Sequence, residues 1–132
     1  MESCIFCKIV KGEIPCYKVF ENKKFLAFLD INPRNEGHTL VIPKEHFRWV
    51  WDVLYLGEYF EVVGKIAQAI QKAMKTDFVV SFIIGEEVPH AHIHLVPRFL
   101  QDGHGALINL SLIRKVEKEK MEKIAKDIKN QV

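Results

Sequence analysis

Three histidines alternate with apolar residues in the segment HAHIHLVP, residues 90–97. On a β-strand, His90, His92 and His94 would all point to one face, with neighbouring imidazoles about 6.6 Å apart and the outer pair about 13 Å apart. A single Zn²⁺ with Zn–N bonds of about 2.0–2.1 Å cannot easily gather all three from a straight strand. The spacing favours a row of bases and hydrogen-bond donors along an extended anionic substrate, in which one imidazole attacks phosphorus.

Two other interpretations of this segment stay open from the residues alone. The three imidazoles could be solvated on an exposed strand face. Two of them could instead share a catalytic zinc ion, as in zinc hydrolases, which requires a third ligand elsewhere in the chain and an open position for water.

A second group of reactive side chains lies near the start of the chain, where Cys4 and Cys7 form a C-x-x-C pair. This spacing lets two thiolates bind one metal ion, and a zinc site would need two further ligands. A redox pair is a rival interpretation, but redox C-x-x-C motifs follow a strand, and no strand is predicted before Cys4. Two buried free thiols are the third interpretation. Because the cysteines are odd in number, we do not expect a disulfide framework.

The rest of the chain predicts the elements that must position these side chains. Apolar and β-branched runs between turn residues predict strands, and apolar residues at helical spacing predict helices. The predicted strands cover residues 17–20, 24–29, 38–42, 78–84 and 90–97, and the predicted helices cover residues 57–75 and 114–130. The pattern indicates an α+β fold with a mostly antiparallel sheet of about five strands, a central helix and a C-terminal helix.

Three of these elements carry predictions of burial. The near-continuous apolar run FVVSFII predicts that residues 78–84 form a buried strand. The apolar face of the central helix is predicted to contain Phe60, Val63, Ala67, Ile70 and Met74. The inward face of the C-terminal helix is predicted to contain Val116, Met121, Ile124, Ala125 and Ile128.

The composition is that of an ordinary globular protein. The chain has 132 residues, of which 48% are hydrophobic and 27% charged, so we expect one compact domain. The net charge is +2, and the basic excess lies in residues 114–132, so a nucleic-acid partner is not expected. No apolar run is long enough to span a membrane, and the start of the chain, with its acidic second residue, does not look like a signal peptide. We therefore expect a cytoplasmic protein without a membrane partner.

Three segments, in this order, resemble the histidine-triad (HIT) nucleotide hydrolases and transferases, and in particular the zinc-binding bacterial-type members. They are CIFCKIVKGEIP near the start, FLDINPRNEGHTLVIPKEH in the middle and HAHIHLVPR toward the end. The resemblance implies a homodimeric α+β domain that pairs through its central helix and a sheet strand. It also implies hydrolysis or nucleotidyl transfer at the α-phosphate of purine nucleotide conjugates, such as phosphoramidates and dinucleoside polyphosphates.

The resemblance implies roles for individual residues. His92 matches a nucleophile that forms a covalent nucleotidyl-histidine, His94 matches its partner at the phosphate and leaving group, and His38 matches the histidine that orients the nucleophile. Asp30 matches a carboxylate that accepts hydrogen bonds from the ribose hydroxyls, although a turn role also suits an Asp at this place. The positions that enclose the purine correspond to Ile5, Phe6, Ile9, Phe28 and Ile31. The apolar pattern alone would assign these five side chains to the core.

The resemblance further implies a structural Zn²⁺ site and no organic cofactor. The implied ligands are Cys4, Cys7, His46 and His90. This assignment gives the first histidine of the alternating segment to the metal and leaves the other two for chemistry. We expect the HIT domain to cover residues 1–110, and residues 111–132 to form a C-terminal helix of the same domain.

One stretch departs from the family pattern. Many members carry a longer glycine-rich loop with neutral hydrogen-bond donors before the triad, whereas residues 81–89 are shorter here and place Glu87 where a neutral donor would be. A carboxylate beside a phosphate repels it unless the carboxylate is protonated or turned away.

Two functions other than nucleotide hydrolysis stay open. One is a nucleotide-binding module with little turnover, because Glu87 would impair the phosphate site, and the other is the zinc hydrolase described above.

Overall fold

A computed structural model describes residues 3–132, so the acidic second residue lies outside the described residues. The elements, in chain order, are helix α1 (Ile5–Val10), strands β1 (Lys18–Glu21), β2 (Phe25–Leu29) and β3 (Thr39–Pro43), helix α2 (Leu56–Met74), strands β4 (Val79–Phe82) and β5 (Ile93–Pro97), and helix α3 (Lys118–Lys129). A short 3-10 turn, Val50–Asp52, precedes α2. Within the described residues, no helix is both long and apolar enough to cross a lipid bilayer.

The five strands form one antiparallel sheet in the order β1-β2-β3-β5-β4. The Asn22 side-chain oxygen accepts hydrogen bonds from the backbone N–H groups of Lys24 and Phe25, which fixes the tight turn between β1 and β2. Strands β3 and β5 are neighbours although α2 and β4 lie between them in the chain. The α+β fold with a five-stranded antiparallel sheet and a central helix is therefore confirmed.

Both faces of the sheet are covered, which explains the continuous burial of its central strands. Along β2, Phe25, Ala27 and Leu29 belong to the large core under α2 and α3, whereas Leu26 and Phe28 belong to a second cluster with α1. This division follows from the alternation of side chains along a strand. The smaller cluster lies on the side where α1 approaches the histidines, so it forms the base of the candidate site.

The prediction that residues 78–84 form a buried strand is wrong. The strand is shorter, and β4 lies at the edge of the sheet, where it pairs with β5 alone among the described strands. Phe78 is 50% exposed and Ile84 is 43% exposed. An uninterrupted apolar run usually indicates burial on both faces, but it does not reveal whether a neighbouring strand will cover both edges.

The predicted apolar face of the central helix is displaced from the observed one. Phe60 is 42% exposed, whereas Tyr59, which the prediction left out, is fully buried. The Tyr59 hydroxyl donates a hydrogen bond of 2.6 Å to the carbonyl oxygen of Val41, so the polar end of this side chain is satisfied inside the core. The buried side chains of α2 are Tyr59, Val62, Val63, Ile66, Ala69 and Ile70.

The C-terminal helix begins at Lys118, which is later than predicted. Its buried side chains are Met121, Ile124, Ala125 and Ile128, as predicted, while Val116 is only partly buried and lies before the helix.

Residues 103–117 form an irregular segment, which we call the strap. The backbone N–H of Arg114 donates a hydrogen bond to the carbonyl of Pro33, and the Arg34 side chain donates one to the carbonyl of Leu110. These contacts hold the strap against the loop after β2.

Candidate functional site

The alternating histidines lie at the start of β5 and directly before it. His94 belongs to the strand, while His90 and His92 precede it in irregular chain. His90 is fully buried and His92 is only 5% exposed, so the interpretation of three solvated imidazoles is wrong. The ring of Phe6, in α1, contacts both buried rings edge-on, with centroid distances of 5.9 Å to His90 and 5.2 Å to His92.

A single backbone contact determines which nitrogen of His92 is available for chemistry. The Nδ1 atom lies 2.7 Å from the carbonyl oxygen of His90, which can only accept, so Nδ1 carries the proton. The Nε2 atom then keeps its lone pair. Burial lowers the pKa of His92, which favours the neutral form that holds this lone pair. His92 therefore presents a neutral, oriented nitrogen base.

Two hydrogen bonds in series connect the backbone of Arg34, the ring of His38 and the ring of His94. The backbone N–H of Arg34 donates to Nδ1 of His38 over 3.1 Å, so the proton of neutral His38 lies on Nε2. That Nε2 is 2.9 Å from Nδ1 of His94 and donates to it, which leaves His94 with its proton on Nε2. Burial and the neighbouring His92 lower the pKa of His94 to about 3. The resemblance implied that His38 orients the nucleophile, but its direct hydrogen bond goes to His94.

A cavity of about 580 Å³ opens beside these rings, and both His92 and His94 line it. This volume is within the usual range for small-molecule sites. Its lining includes each residue that the resemblance assigned to nucleotide binding, namely Ile5, Phe6, Ile9, Phe28, Asp30 and Ile31. The structure therefore brings the predicted apolar side chains, the predicted carboxylate and two of the histidines together around one space.

Asp30 makes the turn contact that the sequence left open, and it also lines the cavity. Its Oδ1 atom accepts a hydrogen bond of 2.8 Å from the backbone N–H of Asn32, which is a turn contact. Its Oδ2 atom lies 3.6 Å from Nε2 of His38 and 3.7 Å from the Arg34 guanidinium, so its contacts are longer than hydrogen bonds. Burial raises the pKa of this carboxyl. One oxygen supports the loop, and the other is available to a ligand in the cavity.

Sequence reasoning missed several residues of the lining. The strap contributes Leu110, Ser111 and Ile113 to the cavity wall. No periodicity or motif identifies these positions, because they follow an irregular path and reach the cavity only through the contacts with Arg34 and Pro33. Glu86 and Glu87 also line the cavity, and the unusual carboxylate at position 87 was the available signal for them.

The two N-terminal cysteines meet two histidines at a second location. The Sγ atom of Cys4 lies 3.4 Å from Nδ1 of His90, and Sγ of Cys7 lies 3.5 Å from the same nitrogen. The Sγ atom of Cys7 is also 3.3 Å from Nδ1 of His46. The potential ligand atoms of all four residues lie within 4.8 Å of one another, so this Cys/His cluster could hold a metal ion.

The geometry of this cluster fits a tetrahedral metal ion. Two ligands that share a tetrahedral zinc, with bonds of about 2.3 Å to sulfur and about 2.0–2.1 Å to nitrogen, lie about 3.5 Å apart. The observed sulfur–nitrogen distances of 3.3, 3.4 and 3.5 Å agree with this value. His90 also donates from Nε2 to the carbonyl of Pro43 over 2.8 Å, which directs its Nδ1 lone pair toward the sulfurs.

A second potential metal group consists of Asp30, His38 and His94. The two histidines, however, are 2.9 Å apart and share a hydrogen bond. Two imidazoles on one tetrahedral ion would lie about 3.3 Å apart and would both need free lone pairs. Because Nδ1 of His38 accepts from Arg34 and its Nε2 therefore carries a proton, this group is arranged for proton sharing instead of metal binding.

The chain matches a known family model and a named relative. A family model of the HIT domain matches residues 11–101. Adenosine 5'-monophosphoramidase HNT1 of Saccharomyces cerevisiae is 38% identical over 131 residues, which cover 96% of this chain and 80% of that protein.

Two solved structures are similar over almost the whole chain. A HIT-like protein from Bartonella henselae superposes with a TM-score of 0.86 and 33% identity, and the match covers 100% of this chain and 98% of that one. A Zn-bound histidine triad family protein from Mycobacterium smegmatis superposes with a TM-score of 0.79 and 31% identity over 98% of this chain and 95% of that one. The family model alone spans well over half of the chain, and we conclude that this protein belongs to the HIT family.

Proposed function

We propose that this protein hydrolyses purine nucleotide conjugates at the α-phosphate, through a covalent nucleotidyl intermediate on His92. Nucleoside phosphoramidates and dinucleoside polyphosphates are the candidate substrate classes. The observation that carries the proposal is the free Nε2 lone pair of a buried, neutral His92 beside a cavity of nucleotide size. A relative that is named as an adenosine 5'-monophosphoramidase supports the same class of reaction.

The substrate would lie with its base among the apolar side chains of the cavity and its ribose at Asp30. The free Oδ2 atom of Asp30 would accept hydrogen bonds from the ribose hydroxyls, since a carboxylate offers several acceptor sites to a diol. The phosphate would then lie beside His92 and His94. The Nε2–H group of His94 would donate a hydrogen bond to a phosphate oxygen or to the leaving atom.

The reaction would proceed in two displacements at phosphorus. In the first, Nε2 of His92 forms a bond to phosphorus while the bond to the leaving group breaks. For a phosphoramidate, the departing nitrogen keeps the electron pair of the P–N bond and takes a proton from water. In the second, water attacks phosphorus, the P–N bond to His92 breaks and a proton returns to solvent. Neutral His92 is restored, and the nucleoside monophosphate is the product.

For the metal cluster, we propose a structural Zn²⁺ held by Cys4, Cys7, His46 and His90. The support is the ligand spacing, together with the Zn-bound relative from Mycobacterium smegmatis. When bound, the ion would cross-link the start of α1 to the residues before β5. Its ligands would leave no open position for water, so it would take no part in hydrolysis.

We also propose that the protein is a homodimer that associates through α2 and the edge strand β4. An edge strand presents unpaired backbone groups that another strand can satisfy. Phe60 on α2 and Phe78 beside β4 are both large apolar side chains with substantial exposure, at 42% and 50%. A twofold contact between these elements would cover both.

The proposed reaction is tested by trapping the intermediate. The purified protein is mixed with an adenosine phosphoramidate, quenched within the first turnover and examined by intact-protein mass spectrometry. We expect the mass of one adenylyl group on the wild type, a peptide map that locates it to His92, and no adduct on His92→Ala. Binding of the nucleotide without an adduct or product would support the nucleotide-binding module instead. Activity that is retained in His92→Ala and lost on chelation would support the zinc hydrolase.

A further inference from the structure

The charges around the cavity are unbalanced. Asp30, Glu86 and Glu87 line it, and Arg34 is the one cationic side chain in the lining that the described residues provide. A site for an anionic phosphate is normally lined by cations or by backbone N–H groups. A phosphate alone therefore does not explain why three carboxylates line the cavity, and another part of the ligand has to be considered.

The single lining cation is already engaged. The Arg34 guanidinium donates hydrogen bonds to the carbonyl oxygens of Asn32, over 2.7 Å, and Leu110, over 2.9 Å. It also lies 3.7 Å from Oδ2 of Asp30, and its side chain is 14% exposed. Arg34 therefore ties the strap to the loop after β2, and turning it toward a ligand would break both hydrogen bonds.

The other groups near the cavity do not reverse the sign of its charge. Burial and the neighbouring His92 lower the pKa of His94 to about 3, so this imidazole brings no positive charge near pH 7. Even a protonated His92 would leave three lining carboxylates against two cations. Arg48 lies outside the lining, where its guanidinium donates a hydrogen bond to the carbonyl of Gly85 and stacks on the ring of Trp49, 3.6 Å from the ring centroid. Its guanidinium is therefore already partnered by this carbonyl and this ring.

Glu86 and Glu87, by contrast, are free to meet a ligand. Both are exposed, and among residues 3–132 neither has a cationic group within the 4.0 Å that defines an ion pair. Both line the same cavity as Asp30, the carboxylate at the proposed ribose site, and His92, the proposed nucleophile. Nε2 of His92, on a ring that is 5% exposed, has no partner among the described residues and belongs to the same cavity.

We propose that Glu86 and Glu87 are specificity-determining residues that select substrates by the charge of the leaving group. They favour adenylyl conjugates whose leaving amine carries an additional ammonium group, and they disfavour leaving groups that are polyphosphates. This inference rests on the proposed hydrolase function, and it ranks the two substrate classes named there. Phosphoramidates of cationic amines are expected to react well, and dinucleoside polyphosphates are expected to react poorly.

The physical reason is the difference in charge that each leaving group brings into the same field. The α-phosphate carries one negative charge in every substrate, so its repulsion from the carboxylates is common to all of them. An ammonium on the leaving group lowers the energy of the bound complex and of the transition state, whereas a polyphosphate adds several negative charges. The carboxylates are exposed, so the effect is moderate and depends on salt.

The test compares adenosine phosphoramidates with alkyl amine leaving groups of equal length that end in an ammonium, a methyl or a carboxylate group. We expect kcat/KM of the wild type to be at least about tenfold higher for the ammonium than for the carboxylate substrate at low salt. This ratio should approach unity in the Glu86→Gln, Glu87→Gln double variant, and it should shrink in about 1 M salt. Glu36→Gln removes a carboxylate outside this cavity and is the matched control, for which the wild-type ratio is expected.

The outcomes separate this inference from the function on which it rests. Equal hydrolysis of all three substrates by the wild type, or a ratio that persists in the double variant, would overturn the selectivity and leave the hydrolase standing. A ratio that falls equally in Glu36→Gln would show a general charge effect and would also overturn it. If the wild type forms no product and no adduct with any of the three substrates, the hydrolase and the selectivity fail together.

Discussion

One hydrogen bond to His92 and a chain of two through His38 determine which ring nitrogens carry protons in the candidate site. The carbonyl of His90 assigns the proton of His92 to Nδ1, and the backbone N–H of Arg34 assigns the proton of His38 to Nε2. The consequence is that His92 faces the cavity with a lone pair, while His94 faces it with an N–H group. Two residues of the same type are thus suited to the proposed roles of nucleophile and hydrogen-bond donor, because their neighbours differ.

The first residue-scale prediction concerns His38, which we regard as a positioning residue. His38→Ala leaves Nδ1 of His94 without its donor, so His94 is free to adopt the other tautomer and lose the N–H that faces the substrate. We expect kcat to fall by about a hundredfold, with little change in KM. Steady-state kinetics together with the unfolding midpoint check this. An unchanged kcat in a folded variant would contradict the proposed hydrogen-bond chain.

A second residue-scale prediction concerns pH. The pKa of His94 is about 3 in the folded protein and about 6.5 in an unfolded chain. Between these values the unfolded protein binds more protons, so the free energy of unfolding decreases as pH falls from about 6.5. From about pH 7.5 to about pH 5, this one side chain should remove on the order of 2 kcal/mol of stability.

Urea unfolding at the two pH values, compared with His94→Asn, measures this contribution. Any pH-dependent loss of metal affects both proteins alike and cancels in the comparison. The wild type should lose more stability than the variant. Equal losses in the two proteins would show that His94 is not kept neutral by the fold.

At the scale of elements, α1 connects the Cys/His cluster to the cavity. The helix is only six residues long, so it depends on tertiary contacts. The helix and the residue directly before it contribute one cysteine each to the Cys/His cluster, and the apolar side chains Ile5, Phe6 and Ile9 of the helix line the cavity. His90 joins the same two sites, because its imidazole belongs to the cluster and its carbonyl orients His92. If the proposed metal and nucleotide bind at these two sites, we expect loss of the metal to weaken nucleotide binding.

The corresponding prediction is that chelation of the metal lowers both the melting temperature and the affinity for AMP. Metal analysis of the wild type should give close to one zinc per chain, and Cys7→Ser should give much less. Cys16→Ser is the matched control, because Cys16 is also a free cysteine but lies outside the cluster. Less than about half an equivalent of zinc in the wild type, with no loss of stability on chelation, would remove the proposed metal site.

At the scale of the whole molecule, β4 is one of the two edge strands of the sheet, and one of its sides pairs with no strand among the described residues. A homodimer through α2 and β4 should have about twice the mass of the 15.3 kDa chain. Phe60→Glu places a charge on the exposed part of α2 and should shift the mass toward that of a monomer, because burying an unpaired carboxylate is costly. Light scattering after size-exclusion chromatography measures this.

Leu54→Glu is the control for the dimer. Leu54 is more exposed than Phe60, at 86%, and lies on neither of the two elements. The same added charge there should leave the mass unchanged. A wild-type protein that elutes as a monomer at micromolar concentration would contradict the proposed association.

The sequence by itself determined the features that depend on local spacing. The alternation in HAHIHLVP identified the histidines, the C-x-x-C pair identified two members of the Cys/His cluster, and turn residues separated the strands, because each of these patterns involves neighbours in the chain. The tertiary structure alone decided which strand became an edge, which face of α2 was buried and where the strap crossed the cavity. It also decided the histidine tautomers, because their partners, such as the Arg34 backbone for His38, are set by folded loops and not by the periodicity of any one segment.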